Sequence, residues 1–186
     1  VTRGAIYWHF SGKQALLRAI RDDVSLPLID QSDFTLLSDT GEKPLQRVER
    51  FLVDLVRAVE EKRETRLAFS VMSFKCEYVG ELASELDVYV RKNERLCNAL
   101  MQAYGLAHAQ GELRAGLSPR LAALETIAFV SGLMRLWLLD ETGTGIRNEA
   151  RLLIQAHVDG RRVAGSTGAA STGATARKEM HASPQA

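Results

Sequence analysis

Residues 1–13 read VTRGAIYWHFSGK, and this stretch decides which fold the chain adopts. Thr2 is a favourable N-cap, and Ile6 and Phe10 lie four residues apart on one helical face. Polar and aromatic side chains cover the rest of this helix, namely Arg3, Tyr7, Trp8 and His9. A purely aromatic core patch is disfavoured, because four consecutive rings cannot all face one core. One buried stripe and one exposed polar face are typical of a short DNA recognition helix.

A second helix is predicted to begin after Ser11, which can serve as its N-cap. Its first turn carries Lys13, which places an ammonium group and free backbone N–H groups where a phosphate can dock. Residues 15–20 are strong helix formers. The stretch therefore predicts a recognition helix that leads into a connecting helix.

The spacing of five residues here resembles the helix-turn-helix of the TetR family of bacterial transcriptional regulators, most closely the AcrR-like repressors of multidrug efflux pumps. The matching residues are Tyr7, His9, Phe10, Lys13 and Leu16. Residues 74–82 and 131–138 also resemble segments of these repressors. The resemblance covers the chain from its start to the last helix. It implies an all-α, TetR-type helical bundle and a repressor that a small hydrophobic ligand releases from double-stranded operator DNA.

The head of the chain departs from the family pattern. Family members carry two further helices before the recognition helix, and these helices cover its inner face. Without them, Ile6 and Phe10 would be exposed, and a short helix does not persist alone in water. We therefore expect a truncated helix-turn-helix head. The alternative is a ligand-binding and dimerisation module without autonomous DNA binding.

The rest of the chain also reads as helix, with no alternating strand pattern of useful length. A proline at the first helical position opens two of the segments, at Pro44 and at Pro119 after Ser118. The helices are predicted over residues 44–61, 67–78, 81–108, 118–139 and 146–162. The side chains expected to point inward on the helix at 81–108 are Leu82, Leu86, Tyr89, Val90, Leu96, Leu100 and Met101.

Charge divides the chain into a basic head and an acidic body. Residues 1–21 hold four basic residues and no acid, residues 161–186 carry a net +3, and the middle carries −6 within a total of +1. This asymmetry fits a DNA contact surface joined to a domain that does not bind DNA. We predict a head remnant at 1–21, a ligand-binding and dimerisation domain at 22–163, and a disordered low-complexity tail at 164–186.

Composition is that of an ordinary globular protein, 46% hydrophobic and 25% charged over 186 residues. No apolar run reaches the roughly 20 residues that span a bilayer, and no signal peptide precedes the first helix. We expect a cytoplasmic protein without a membrane partner. Cys76 and Cys97 lack metal-type spacing, so we expect no metal and no cofactor, and a redox role stays open. No paired carboxylates, nucleophile arrangement or phosphate loop indicates an enzyme.

Three sets of site residues follow from the sequence and the resemblance. The DNA contacts are expected at Thr2, Arg3, Gly4, Tyr7, Trp8, His9 and Lys13. The aromatic and methionine side chains expected around an apolar ligand are Phe69, Met72, Tyr78, Tyr89, Met101 and Tyr104, although such residues are equally typical of a plain core. The resemblance implies a homodimer that pairs its last two helices, and the expected interface residues are Ala128, Ser131, Gly132 and Leu136.

Overall fold

The computed structural model describes residues 11–12, 14–20, 22, 35–38 and 41–164. Residues 14–20 are helical. The later elements are α1 Pro44–Glu61, α2 Arg63–Phe74, a 3₁₀ turn Gly80–Leu82, α3 Ala83–Ala109, α4 Pro119–Leu139 and α5 Ile146–Asp159. Within the described ranges the only β pairing is a single bridge between Leu113 and Arg162. The all-α prediction is confirmed, and all seven predicted DNA contacts lie outside the described residues.

Proline and capping residues fix the helix starts that the sequence predicts most sharply. Pro44 is the first residue of α1. Ser118 accepts a hydrogen bond from the Leu121 N–H at 3.2 Å and caps α4. By contrast, α2 ends at Phe74 and does not continue to residue 78 as predicted. Residues 75–79 are not helical, and the chain turns at Gly80, whose φ of +57° is a conformation that favours glycine.

The core forms where α1, α3, α4 and α5 meet. α3 packs against α4 and α1, while α5 packs against α1 and α4. Fully buried side chains from all four helices fill this space, and the largest are Leu45, Leu52, Leu100, Tyr104 and Ile154. Each buried Leu or Ile contributes about 1.5–3 kcal/mol of transfer free energy. This core fixes the second half of α3 and leaves its first half at the edge of the bundle.

The first half of α3 corrects one expectation from the sequence. Leu86, Tyr89 and Val90 were expected to point inward, yet all three are exposed. They lie in the first three turns of α3, and the fully buried residues of this helix begin further along, from Leu100. Helical spacing identifies a common face, but the position of neighbouring helices decides whether that face is covered.

The helix α4 is apolar around most of its circumference. Its length of 21 residues and its composition would allow it to cross a membrane, which corrects the expectation that no segment reaches this length. In the bundle, Ala122, Thr126, Val130 and Trp137 face the core and are buried. A second apolar face of the same helix, which includes Leu124 and Leu136, is exposed.

Candidate ligand-binding cavity

A cavity of about 420 Å³ lies between α1, α2, the first half of α3 and α4. One helical residue near the start of the chain, Leu17, also contributes to its wall. The lining residues are Leu17, Phe51, Leu55, Phe69, Met72, Ser73, Tyr78, Glu85, Leu86, Tyr89, Lys92, Asn93, Leu96, Val130, Ser131, Met134 and Arg135. The volume and the mainly apolar wall are those of small-molecule sites in proteins.

Four of the six side chains that the sequence predicted for ligand binding line this cavity together: Phe69, Met72, Tyr78 and Tyr89. The rings of Tyr78 and Tyr89 stack with centroids 6.3 Å apart. The Tyr78 hydroxyl donates to the Met72 carbonyl at 3.4 Å, which orients its ring, and partial burial raises the pKa of this hydroxyl. Aromatic rings and flexible methionine side chains are a lining typical of sites that bind apolar ligands of varied shape.

The other two predicted ligand residues, Met101 and Tyr104, lie outside the cavity. Tyr104 is fully buried in the core, where its hydroxyl is 2.7 Å from Thr126 Oγ1. Thr126 Oγ1 donates to the Ala122 carbonyl at 2.8 Å and is 3.0 Å from His157 Nε2. Met101 is half-buried and packs against the same core. Their position in the second half of α3, beyond the cavity, explains the difference.

His157 completes this buried polar group as a neutral imidazole. Burial and the nearby positive charge of Arg161 lower its pKa to about 4. Its ring stacks on Phe129 with centroids 3.9 Å apart. The group joins α3, α4 and α5 through hydrogen bonds, and it belongs to the core rather than to a ligand site.

Three charged side chains line the cavity: Glu85, Lys92 and Arg135. Glu85 has a side chain that is only 3% exposed, and its Oε1 is 2.7 Å from Arg18 Nε. Arg135 lies over the Phe74 ring at 4.8 Å and donates to the Ser73 carbonyl at 3.4 Å. The Arg18–Glu85 ion pair connects the helical residues 14–20 to the first turn of α3.

The structure adds lining residues that the sequence did not assign to a ligand site, among them Leu86, Asn93 and Leu96. Together with the predicted Tyr89 they follow each other at three- and four-residue steps on α3, so their common face was visible in the sequence. Which part of that face borders a cavity depends on α2 and α4, which are distant in the chain. Ionisable lining residues such as Glu85 carry no sequence signal of their own.

The four predicted interface residues lie on α4 and are divided between two surfaces. Ala128, Gly132 and Leu136 are exposed. Ser131 is also exposed, but it lines the cavity. Further exposed apolar side chains on these last two helices are Leu121, Leu124 and Leu139 on α4 and Leu152 and Leu153 on α5. We call the α4 residues 121, 124, 128, 132, 136 and 139, with 152 and 153 of α5, the apolar stripe.

The described residues offer little for metal or thiol chemistry. No group of three or more His, Cys, Asp or Glu side chains that could hold a metal ion occurs in the part of the chain described here. Cys76 and Cys97 are free thiols, and burial raises the pKa of Cys76. A raised pKa disfavours the reactive thiolate.

Comparison with known proteins gives consistent matches. Residues 43–161 match the family model of the MAATS-type transcriptional repressor, C-terminal region. The HTH-type transcriptional regulator AcrR of Shigella flexneri is 30% identical over 155 residues, 81% of this chain and 70% of AcrR. The HTH-type transcriptional repressor BepR of Brucella suis is 31% identical over 148 residues, 77% of this chain and 68% of BepR.

A solved structure shows the same fold. NalD, the secondary repressor of the MexAB-OprM multidrug efflux pump in Pseudomonas aeruginosa, superimposes with a TM-score of 0.72. The sequences are 25% identical, and the match covers 87% of this chain and 80% of NalD.

Proposed function

Because the chain belongs to the TetR family of transcriptional repressors, we propose that it represses a multidrug efflux operon and that a small hydrophobic ligand in the α1–α4 cavity releases it from operator DNA. The observation that carries this proposal is the cavity itself, about 420 Å³ in volume and lined mainly by apolar and aromatic side chains. The efflux assignment rests on relatives such as NalD, which represses an efflux pump. A regulator of this kind acts in the cytoplasm, where its DNA is.

The ligand acts by differential binding to two states of the protein. A ligand shifts an equilibrium only as far as its affinities for the two states differ. The cavity wall includes Leu17, which is 6% exposed and belongs to the helical residues 14–20 that follow the predicted recognition helix. A ligand that requires Leu17 to move therefore changes the position of the DNA-binding head. Phe69, Met72, Tyr78 and Tyr89 supply the remaining contacts.

Filling the cavity is expected to weaken ligand binding without affecting the fold. Asn93 lines the cavity and is partly exposed, so Asn93→Trp places an indole inside the ligand volume. The neutral dye N-phenyl-1-naphthylamine fluoresces on entering an apolar site and serves as the probe. We expect its affinity to fall by about tenfold or more, since each 1.4 kcal/mol of lost contact is a factor of ten.

A matched variant controls for the added indole. Asn98 lies on the same helix α3 but borders a polar groove away from the cavity, beside Arg91 and Gln102. Asn98→Trp should bind the dye as the unmodified protein does. Equal dye affinity for Asn93→Trp and Asn98→Trp, with both variants helical by circular dichroism, would exclude the cavity as the ligand site.

The apolar stripe is proposed as the homodimer interface. Its α4 residues follow each other at three- and four-residue steps, so they occupy roughly one third of the helix circumference. Ala128 and Gly132 lie at its centre, and small side chains there allow two copies of α4 to approach closely. A two-fold axis through this region would pair α4 and α5 with their counterparts and cover the exposed leucines at 136, 139 and 152.

DNA binding is proposed for the residues at the start of the chain. Arg3 and Gly4 would approach the bases or the backbone, and Lys13 would hold a phosphate. Thr2, Tyr7, Trp8 and His9 would contact phosphates and base edges. These assignments rest on the sequence and on the family. A dimer of such heads reads two half-sites about one helical turn apart.

Selection from sheared genomic DNA tests this part of the proposal. The protein is expected to enrich pseudo-palindromic fragments, and the binding constant is expected to fall steeply with salt. Tyr7→Ala should weaken binding, and Lys13→Ala should lower the slope of log K against log salt by about one unit. Unchanged binding in both variants would contradict the contact assignments. Failure to enrich any sequence would favour a ligand-binding and dimerisation module without autonomous DNA binding.

A further inference from the structure

We propose that Asp140 is a positioning residue for the homodimer: its carboxylate fixes the start of α5 against the end of α4 and thereby aligns the two parts of the apolar stripe for a second copy of the chain. The inference rests on the proposed function, since it requires the apolar stripe to be the dimer interface. It adds a polar residue that lies outside the stripe and acts on pairing through the fold of a single protomer.

The Asp140 carboxylate organises the connection between α4 and α5. Asp140 directly follows the last residue of α4. Its Oδ1 accepts hydrogen bonds from the Gly143 N–H at 3.1 Å and from Thr142 Oγ1 at 3.2 Å. Its Oδ2 accepts from the Gly145 N–H at 3.0 Å and from the Arg147 N–H at 3.1 Å. These hydrogen bonds, first of all the one from the Arg147 N–H, lower the pKa of the Asp140 carboxyl.

The same turn joins the ends of the two helices through opposite charges. Arg147 is the second residue of α5, so its N–H is one of the donors that a helix leaves unpaired at its N-terminus, and Asp140 satisfies it. In the opposite direction, Arg147 Nε donates to the Trp137 carbonyl at 2.9 Å in the last turn of α4. Arg147 Cζ lies 4.2 Å from the centroid of the Trp137 ring, which is buried. The turn is therefore anchored to the core.

The core holds the second half of α5 more firmly than its start. Ile154 and Val158 are buried in the second half, and His157 Nε2 is 3.0 Å from Thr126 Oγ1 there. The four residues of the first turn, 146–149, are half-buried or exposed. The direction in which α5 leaves α4 consequently depends on the Asp140 turn.

This direction matters because the apolar stripe includes both helices. Leu136 and Leu139 lie at the end of α4 beside the turn, and Leu152 and Leu153 lie on α5. A two-fold axis covers both pairs of leucines only when the two helices present them at the correct offset. When an arrangement that permits pairing is only partly populated, the measured affinity falls by that fraction. If each protomer held it for about one third of the time, the dissociation constant would rise about tenfold, because both protomers must hold it.

Asp140→Asn tests the inference with almost no change in side-chain size. The amide keeps one acceptor oxygen and replaces the other with an NH2 group, so donors of the turn lose their partner. We expect the dissociation constant of the dimer, measured by sedimentation on the full chain, to rise by about tenfold. Glu141→Gln is the matched control. It removes the same charge from the adjacent exposed residue, which takes no part in these four hydrogen bonds, and should leave the constant unchanged.

Gly145→Ala disturbs the same turn while keeping the Asp140 charge. A β-carbon at this position would lie 3.2 Å from Asp140 Oδ2, closer than an ordinary van der Waals contact, so the carboxylate has to shift. We expect the dissociation constant of the dimer to rise here as well. Hydrogen exchange of the amides at residues 143–147 gives an independent signal, and it should be faster in Asp140→Asn and Gly145→Ala but not in Glu141→Gln.

The outcomes distinguish this inference from the proposed interface. A role in stability alone would lower the free energy of unfolding of Asp140→Asn and Gly145→Ala and leave the dissociation constant of the folded dimer unchanged, which would overturn the inference. An equal rise in Glu141→Gln would assign the effect to net charge and overturn it too. If Asp140→Asn does not fold, Gly145→Ala decides.

The apolar stripe would remain the interface in these cases if Gly132→Glu, at its centre, is monomeric. If the unmodified protein is itself a monomer at micromolar concentration, the proposed interface fails, and the inference about Asp140 fails with it.

Discussion

Replacing Gly132 by glutamate is expected to convert the protein from a dimer into a monomer. Gly132 is exposed at the centre of the apolar stripe, and a side chain there meets no atom of its own chain within 4 Å. In a two-fold interface the variant would bring two carboxylates together near the axis. Burying unpaired like charges costs several kcal/mol, so the dissociation constant should rise on the order of a thousandfold.

Sedimentation of the variant at micromolar concentration checks this result. Gly132→Ala is the matched control, because it adds a methyl group without charge and should remain dimeric. Both variants should retain the helical circular dichroism of the unmodified protein, since the position is open in the single chain. A Gly132→Glu protein that still sediments as a dimer would place the interface outside the apolar stripe.

Replacing Tyr104 by alanine is expected to cause the largest loss of stability among the aromatic residues predicted for ligand binding. Tyr104 is 0% exposed, and its hydroxyl forms a hydrogen bond with Thr126 Oγ1. Truncating a buried aromatic ring to alanine costs about 3–5 kcal/mol through lost transfer free energy and the cavity left behind. The free energy of unfolding in urea, compared at one fixed protein concentration, measures the loss.

Tyr89→Ala provides the contrast on the same helix. Its side chain is 52% exposed and borders the cavity, so truncation should cost less than about 1 kcal/mol of stability. It should instead weaken dye binding, whereas Tyr104→Ala, measured below its unfolding transition, should not. A similar loss of stability in both variants would contradict the assignment of Tyr89 to the ligand site and of Tyr104 to the core.

The sequence predicted the helices best where a local signal marks their ends. Pro44 and Ser118-Pro119 determine where α1 and α4 begin through local backbone chemistry, and both starts are found as expected. The end of α2 was less predictable, because residues 75–79 contain no proline or glycine that would stop a helix, and the turn comes only at Gly80. Local sequence patterns are therefore sufficient to predict where a capped helix begins, and they are less reliable for the other helix ends.

The residues that line the cavity could not be predicted from local sequence patterns alone. Tyr89 and Tyr104 are both aromatic residues on α3, and no local pattern around them predicts different roles. Their roles differ because α2 stands opposite the first half of α3 while the close-packed core surrounds the second half. Arg18 and Glu85 are 67 positions apart. Their pairing depends on the path of the chain, which spacing alone cannot reveal.

We propose the α1–α4 cavity as the ligand site of this repressor, and a crystal structure of the protein with N-phenyl-1-naphthylamine tests this proposal most directly. We expect electron density for the dye between Phe69, Tyr89 and Met134, which all line the cavity. Dye bound instead on the apolar stripe around Leu136 and Leu152, with the cavity empty, would contradict the proposal.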